Sequence, residues 1–450
     1  MTVIQAAKSK SREWVLRQML NLLPRLSMDN METMISLGQK LLKNPEYIAV
    51  AEEMKAAIRE NHPAVKVIDK VLHDLSPEAS FRTIHNLFIK GLLAGTTQRE
   101  EMEKEMGFKP PLFFVVSPTM RCNLKCYGCY SGEYNQSFGL PTEVLDRLFA
   151  EARELGMAFI TVSGGEPFLR KDLVDLFERH REMMFQVYTN GTLIDQDLAA
   201  KLGRIGNVAP MISLEGFEDR TDARRGRGHF QKMMRVMDRL REEGVLFGVS
   251  VCLTRSNHLE LSSEAFADLL ADKGVFLIWI FQYLPIGREP DLDLMLTPEM
   301  RDDFRRRMRY IRNHWPFFVC DFWNDGPYVS GCIAGGKDYF HINAEGDVEP
   351  CVFVHFAVDN IKDKSIKEVL DSEFFRDIRA HQPWSDNHLC PCMIIDNPHC
   401  LRDLLRRHRP RPTHAGAEGI VNELAPFLDD YARRYHAIAD RAWREEYGRG

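Results

Sequence analysis

Two hydrophobic rhythms divide the chain. Up to about residue 108 the apolar positions recur at helical spacing: Val15, Leu16, Met19, Leu20, Leu23 and Leu26, then Met31, Met34, Ile35, Leu41 and Leu42 with small slips. Ser76-Pro77-Glu78 reads as a helix start, with serine as cap and proline in the first turn. The Met-rich faces read as core packing, with a ligand groove as the lesser alternative. From residue 112 short apolar runs alternate with helical patterns. Strands are predicted at 112–117, 158–163, 185–189, 209–214, 246–253 and 276–283, and helices at 142–156, 171–183, 194–204, 229–243 and 262–273. Six strand–helix repeats imply parallel strands joined by right-handed crossovers, in an open doubly wound sheet or a full or partial barrel. In either case active residues belong at the carboxyl ends of the strands. After about 290 the repeat stops. Thr297-Pro298-Glu299 opens an arginine-rich helix. The tail from 418 to 447 is amphipathic, with Ile420, Leu424, Phe427, Leu428, Tyr431 and Tyr435 on one side. It is expected to pack on the body, a partner or membrane-surface role being the alternative.

Composition narrows this only a little. The 450 residues suffice for two or three domains, and 44% hydrophobic with 28% charged residues is ordinary for a globular protein. A net charge of -6 gives no argument for nucleic acid or a membrane surface. Arg402, Arg406, Arg407, Arg409 and Arg411 read as a solvated face, with an anionic contact as the weaker option. Met1 to Trp14 is polar and charged, without the apolar run of a targeting signal, and no stretch approaches about eighteen apolar residues. A cytoplasmic protein without a transmembrane segment is expected.

The ten cysteines are unevenly placed: Cys122, Cys126 and Cys129 together, Cys252 alone, and six between Cys320 and Cys400. That clustering suits metal binding in a reducing compartment more than disulfides. The first three form Cys-x3-Cys-x2-Cys directly after the first predicted strand. Three thiolates on one short loop can hold three irons of a [4Fe–4S] cube and leave the fourth open. Buried apolar thiols, a redox pair or a zinc site are the competing readings. Later strand ends carry Ser163-Gly164-Gly165-Glu166-Pro167, Tyr188-Thr189-Asn190-Gly191, Ser213-Leu214-Glu215-Gly216 followed by Arg224-Arg225-Gly226, and Gln282-Tyr283-Leu284-Pro285. Singly, each is a turn. In series behind the cysteine loop they form a site, with glycine amides able to approach a bound group and a carboxylate able to accept from an ammonium.

Over roughly 112–290 the chain resembles the radical S-adenosylmethionine (SAM) superfamily. The resemblance implies a partial (β/α)6 TIM-like barrel within an α/β fold, preceded by an all-helical region and followed by a cysteine-rich iron–sulfur extension. It implies that Cys122, Cys126 and Cys129 hold the cluster and that SAM chelates the open iron. Gly164, Gly165 and Glu166 would receive the methionine amino group. Ser213 would lie on the ribose side, Arg225 at the carboxylate, Leu284 near adenine, and Asn190 nearby. The family usually has an aromatic residue just before the third cysteine, where this chain has Gly128.

Further on, Cys332 is followed by thirteen residues, Gly346, four residues and Cys351, and the glycine suits a hairpin that brings the two thiols together. This region is similar to the SPASM or Twitch extensions that bind auxiliary [4Fe–4S] clusters. The block Cys390-x-Cys392-x7-Cys400 departs from the seven-cysteine SPASM pattern. One auxiliary cluster is therefore expected, on Cys332, Cys351, Cys392 and Cys320, with Cys390 or Cys400 as substitutes. A zinc site using His388 or His399 is the metal alternative. Cys252, inside an apolar run, reads as a buried hydrophobe.

The resemblance implies an oxidoreductase or maturase that reductively cleaves SAM and uses a 5′-deoxyadenosyl radical to abstract hydrogen from a substrate. That substrate is unidentified: a peptide, a cofactor precursor or a lipid-like molecule. A donor such as flavodoxin or ferredoxin would supply electrons. Peptide-modifying relatives often carry a winged-helix unit with strands, so an all-helical start argues against a ribosomal-peptide substrate. A non-catalytic iron–sulfur carrier or metal-binding protein is the alternative. Asp321, Glu215 and His341 lie near the relevant segments, but no acid or base is assigned. The expected domains are 1–108, 109–290, 291–400 and a basic linker with a C-terminal helix over 401–450.

Overall fold

The computed structural model describes residues 45–60 and 62–448, together with positions 32, 33, 35, 36 and 39. The helical expectations over Val15–Leu26 and at Met31, Met34, Leu41 and Leu42 lie outside these residues. Strands β1 Phe113–Val116, β2 Phe159–Val162, β3 Met184–Thr189, β4 Val208–Leu214, β5 Gly248–Leu253 and β6 Leu277–Gln282 pair in parallel with their sequence neighbours. Helices Thr142–Glu154, Leu173–Arg179, Gln196–Ile205, His229–Glu242 and Glu264–Asp272 make the crossovers. Inward positions alternate along each strand, as Gln186 and Tyr188 on β3, Ser250 and Cys252 on β5, and Trp279 and Phe281 on β6. All of these line one cavity, so the sheet wraps around it as a partial barrel.

Two short strands after residue 290 extend the sheet. β7 Phe318–Asp321 runs parallel to β6. β8 His341–Ile342 runs parallel to β1 and antiparallel to β9 Val348–Glu349, giving the order β7-β6-β5-β4-β3-β2-β1-β8-β9. The cysteine-rich extension thus contributes to both edges of the barrel sheet.

The described N-terminal helices close the opposite end. Val67, Val71, Leu75 and Ala79 pack on Met184, Ala209, Leu246 and Phe276, which stand at or just before the starts of β3 to β6. Ser76 caps the helix beginning at Pro77 by accepting from Ala79 N, and its hydroxyl donates to Gly203 O at 2.8 Å. These helices plug the amino-terminal end and do not roof the strand ends where chemistry is expected.

On the other flank, helix Pro298–His314 packs against the tail helix Ala425–Glu446, which buries Leu428, Tyr431, Tyr435 and Ala439. Among the described residues no helix is long and apolar enough to cross a membrane.

His355, 3% exposed, sits between these parts, with Nε2 donating to Val352 O at 2.9 Å and Nδ1 at 2.6 Å from His414 Nε2. Burial, with the neighbouring His414, outweighs the nearby Glu349 and depresses its pKa to about 4. The folded state therefore keeps His355 neutral where the unfolded chain, titrating near 6.5, takes up a proton. Stability present above pH 6.5 is lost as pH falls toward 4, by up to roughly 3 kcal/mol from this ring. Melting temperatures across pH 4–7 should fall on the acid side, with a shallower slope in His355→Gln.

Candidate active site

The cysteine loop leaves β1 at the carboxyl-end face, and the loop after β2 runs directly beneath it. Gly165 N donates to Thr119 O at 3.0 Å and Glu166 N to Arg121 O at 2.8 Å. A Cβ on Gly164 would stand 2.3 Å from Thr119 O, and one on Gly165 2.2 Å from Arg121 O. These glycines are thus needed for the close approach of the two loops. Gly165→Ala should push the cysteine loop outward; iron content after reconstitution should drop severalfold, and thermal melting should show the lost packing.

The placement of Glu166 corrects the expectation that its carboxylate meets a bound amine. The side chain is fully buried and accepts from Phe168 N at 3.1 Å, Thr189 Oγ1 at 2.8 Å and Asn190 N at 2.7 Å. It ties the loop after β2 to the end of β3 and does not line the cavity. The Gly165 amide is likewise committed to the cysteine loop, and the Gly164 carbonyl accepts from Ser131 Oγ at 3.3 Å.

The other expected residues converge. Cys122, Cys126, Cys129, Gly164, Gly165, Asn190, Ser213, Arg225 and Leu284 all line one cavity with about 1440 Å³ of free space, its mouth included. Donors surround the thiols: Leu124 N lies 3.4 Å from Cys122 Sγ, Ser131 Oγ 3.4 Å from Cys129 Sγ, and Arg225 Nη1 4.0 Å from Cys126 Sγ. Asn190 Nδ2 donates to Asn123 Oδ1 at 2.8 Å and approaches Cys122 Sγ at 3.8 Å. Burial pushes the Cys122 and Cys126 thiols above their ordinary range, with Arg225 pulling Cys126 back. Thiols of this kind give up their protons when a metal takes their place.

Further contributors had been given no role. Glu215, 2% exposed on its side chain, accepts from Arg225 Nη2 at 2.6 Å and from Arg224 Nη1 at 3.1 Å. Arg224 then donates to Tyr127 O and Gly128 O, so this carboxylate braces the cysteine loop through an arginine. Arg288 N donates to Cys129 O at 3.0 Å from the loop after β6. Gly128 has φ +62°, and a Cβ there would meet the Tyr283 ring at 2.8 Å. An aromatic side chain is excluded at that position, and Tyr283 fills the adjacent space. Cys252, expected as a buried hydrophobe in an apolar run, lies on β5 and lines the cavity. Period-2 alternation along β5 and β6 was the available signal, hidden because the runs are apolar on both faces.

In the extension, Cys332, Cys351 and Cys392 line a second pocket with about 430 Å³ of free space, and Gly346 turns the β8–β9 hairpin at φ +90°. Cys320 does not join them. It sits on β7 opposite Trp279, among Asp325, Arg312 and Asp321, because β7 was drawn into the barrel sheet. Cys390 lies near Arg301 and Asp396, and Cys400 beside His399. Burial raises the Cys332 thiol to about 11 and Cys392 to about 12. Among the described residues no three His, Cys, Asp or Glu side chains converge as one metal ion requires. Zinc, with bonds near 2.3 Å, needs that convergence; a cubane does not, since each thiolate binds a different iron.

Comparison with known proteins decides the family. The model described as "Radical SAM superfamily" matches residues 116–263, and an "Iron-sulfur cluster-binding domain" matches 332–393. Mycofactocin maturase MftC of Mycolicibacterium smegmatis is 31% identical over 297 residues, covering 62% of this chain and 75% of that one. The chain belongs to the radical SAM superfamily. Fe-coproporphyrin III synthase of Methanosarcina barkeri is 33% identical over 228 residues, covering 48% of this radical SAM chain but only 57% of that protein. The solved structure of Streptococcus suis SuiB bound to S-adenosylmethionine shares the fold, with TM-score 0.54 and 18% identity over 65% of this chain and 74% of that one.

The cofactors of this radical SAM protein are accordingly SAM and [4Fe–4S] clusters, an auxiliary one included. The residues fit both. The first trio offers three donor-surrounded thiols at a cavity mouth. Gln282, 3% exposed, lines the same cavity with Nε2 unpartnered, a donor awaiting a polar ligand. The second trio sits in an otherwise apolar pocket.

Proposed function

We propose that this chain is a SAM-cleaving oxidoreductase in which Cys122, Cys126 and Cys129 hold the catalytic cluster, and that its substrate presents a neutral, apolar or aromatic group to the barrel interior. The observation that carries this is one continuous cavity. Its mouth holds the cysteine trio, Ser213, Arg225 and Leu284, while its floor is built from Phe113, Tyr188, Trp279, Phe281, Phe322 and Phe353. When bound, the cluster and SAM supply one-electron cleavage of a carbon–sulfur bond and a carbon radical for C–H abstraction. The protein's part is positional. Glu215 fixes Arg224 and Arg225, Arg224 and Arg288 hold the cysteine loop by its carbonyls, and the aromatic floor excludes water from a radical intermediate.

The floor also supports the enzyme reading over a carrier, which has no use for a lined chamber beside its cluster. Relatives named as maturases and as a coproporphyrin synthase support a peptide or cofactor precursor as substrate. A flavodoxin or ferredoxin would supply electrons, and ten free cysteines support a reducing, cytoplasmic setting. The domains follow as 1–108, 109–290, 291–400 and 401–450, the third lending strands to the second.

The test is anaerobic reconstitution, reduction with dithionite, and assay for 5′-deoxyadenosine. Its formation is the expected result. A fully iron-loaded, reduced protein that yields none with SAM present overturns the proposal.

A further inference from the structure

We infer that Gln186, Tyr188 and Ser250 form the substrate subsite of the barrel cavity, and that the group it takes is an uncharged amide carried beside an aromatic or aliphatic side chain. This rests on the reading of the cavity as a substrate chamber and deepens it.

The three residues line the cavity from β3 and β5. Gln186 is held in one orientation: Thr161 Oγ1, on the neighbouring β2, donates to its Oε1 at 3.2 Å. With the oxygen engaged, the Nε2 hydrogens are left for a ligand. Tyr188 Oη and Ser250 Oγ have no hydrogen-bond partner among the described residues. Burial pushes the Tyr188 phenol well above its ordinary range, so it stays a neutral O–H. On the adjoining wall, Trp279 Nε1 and Gln282 Nε2 are buried donors without a partner. Polar groups in so aromatic a chamber are costly to leave unpaired, and their convergence calls for a polar ligand.

The chemistry of that ligand follows from the missing charge. Among the described residues no aspartate, glutamate, lysine or histidine lines the cavity, and its three arginines are engaged: Arg224 and Arg225 with Glu215, Arg288 with the Cys126 and Gly132 carbonyls. An ammonium held on Gln186 would find no counter-ion, and a carboxylate there would be buried without one. A neutral carbonyl suits Gln186 Nε2, and the N–H of the same amide suits a hydroxyl of Tyr188 or Ser250. Phe281 meets Tyr188 edge-on at 5.6 Å and stacks with Trp279 at 5.9 Å between ring centres, which gives an apolar surface for the adjoining side chain.

The register sets this subsite next to the nucleotide end of the cavity. Ser250 pairs with Ser213 on β4, expected on the ribose side, and with Trp279 on β6. All three face inward, so a group held on Ser250 lies one strand over from the ribose position.

The experiment titrates the full, anaerobically reconstituted chain by isothermal calorimetry, with SAM present and no reductant. The probes are N-acetylphenylalanine amide, N-acetylphenylalanine and toluene. The amide should bind about tenfold more tightly than the carboxylate. Gln186→Leu should weaken the amide about tenfold and leave toluene unchanged, because it removes the donor and keeps apolar bulk. Ser250→Ala, a smaller change, should weaken the amide in the same selective way, with folding and loading of both variants checked by circular dichroism and iron content. Equal affinity for amide and carboxylate, equal losses for amide and toluene in the variants, or no binding of the amide would each overturn the inference. Those failures would leave SAM cleavage by the wild type standing. A wild type that forms no 5′-deoxyadenosine would instead overturn the reading on which the subsite rests.

Discussion

In a C126A variant, 5′-deoxyadenosine formation should fall to background and reconstituted iron should drop by about four atoms per chain, while the auxiliary site stays loaded. Cys126 is the middle thiol of the trio, with Arg225 Nη1 4.0 Å from its sulfur and Arg288 donating to its carbonyl at 3.5 Å. Alanine keeps the loop anchored by those arginines but leaves two thiols for a cube that needs three. The control is C351A. Its thiol lies in the second pocket, beyond Phe322 and Phe353, so SAM cleavage should survive there while substrate turnover is impaired. Iron assay and product chromatography on both variants separate the outcomes. Equal loss of SAM cleavage in the two would contradict the division of labour between the pockets.

The sequence made the strand ends legible because each is a short apolar run followed by glycine or a polar turn, and parallel repeats of that kind place their carboxyl ends on one face. The cysteine loop, Gly164, Gly165, Ser213 and Leu284 could therefore be gathered without coordinates. What escaped was set by tertiary pairing. His341-Ile342 is too short to show alternation, and Phe318-Val319-Cys320-Asp321 resembles any buried tetrapeptide, so neither announced that it would edge the barrel. That hidden pairing also keeps Cys320 away from the thiols expected beside it. Glu166 departs from expectation for a different reason. A carboxylate beside two glycines looks free in one dimension, but the end of β3 brings three donors to it. Glu215 was visible as a residue, yet its bracing of the cysteine loop runs through Arg224, about a hundred positions from that loop.

The largest stability effect should come from Arg301. Its guanidinium has no solvent exposure and joins four segments. Nη1 donates to Asp396 Oδ1 at 2.5 Å, Nη2 to Asp396 Oδ2 and Leu389 O at 3.2 Å, and Nε to Asn324 Oδ1 at 3.2 Å. The group also lies 3.7 Å from the Tyr435 ring centre on the tail helix. Arg301→Met preserves bulk but strands the Asp396 carboxylate in a buried site, a change that costs about 3–5 kcal/mol. Asp396 Oδ2 accepts from Cys392 N, so the same substitution should loosen the loop presenting that thiol and lower auxiliary iron. The double variant R301M/D396N removes the stranded charge as well, and should recover much of the lost stability because an unpaired ion, not a missing contact, dominates the single variant. Denaturant unfolding of the wild type, both single variants and the double closes the cycle. Recovery of stability without recovery of auxiliary iron would show that Arg301 positions the cysteine loop in addition to neutralising Asp396, whereas a double variant no more stable than R301M would refute the stranded-charge argument.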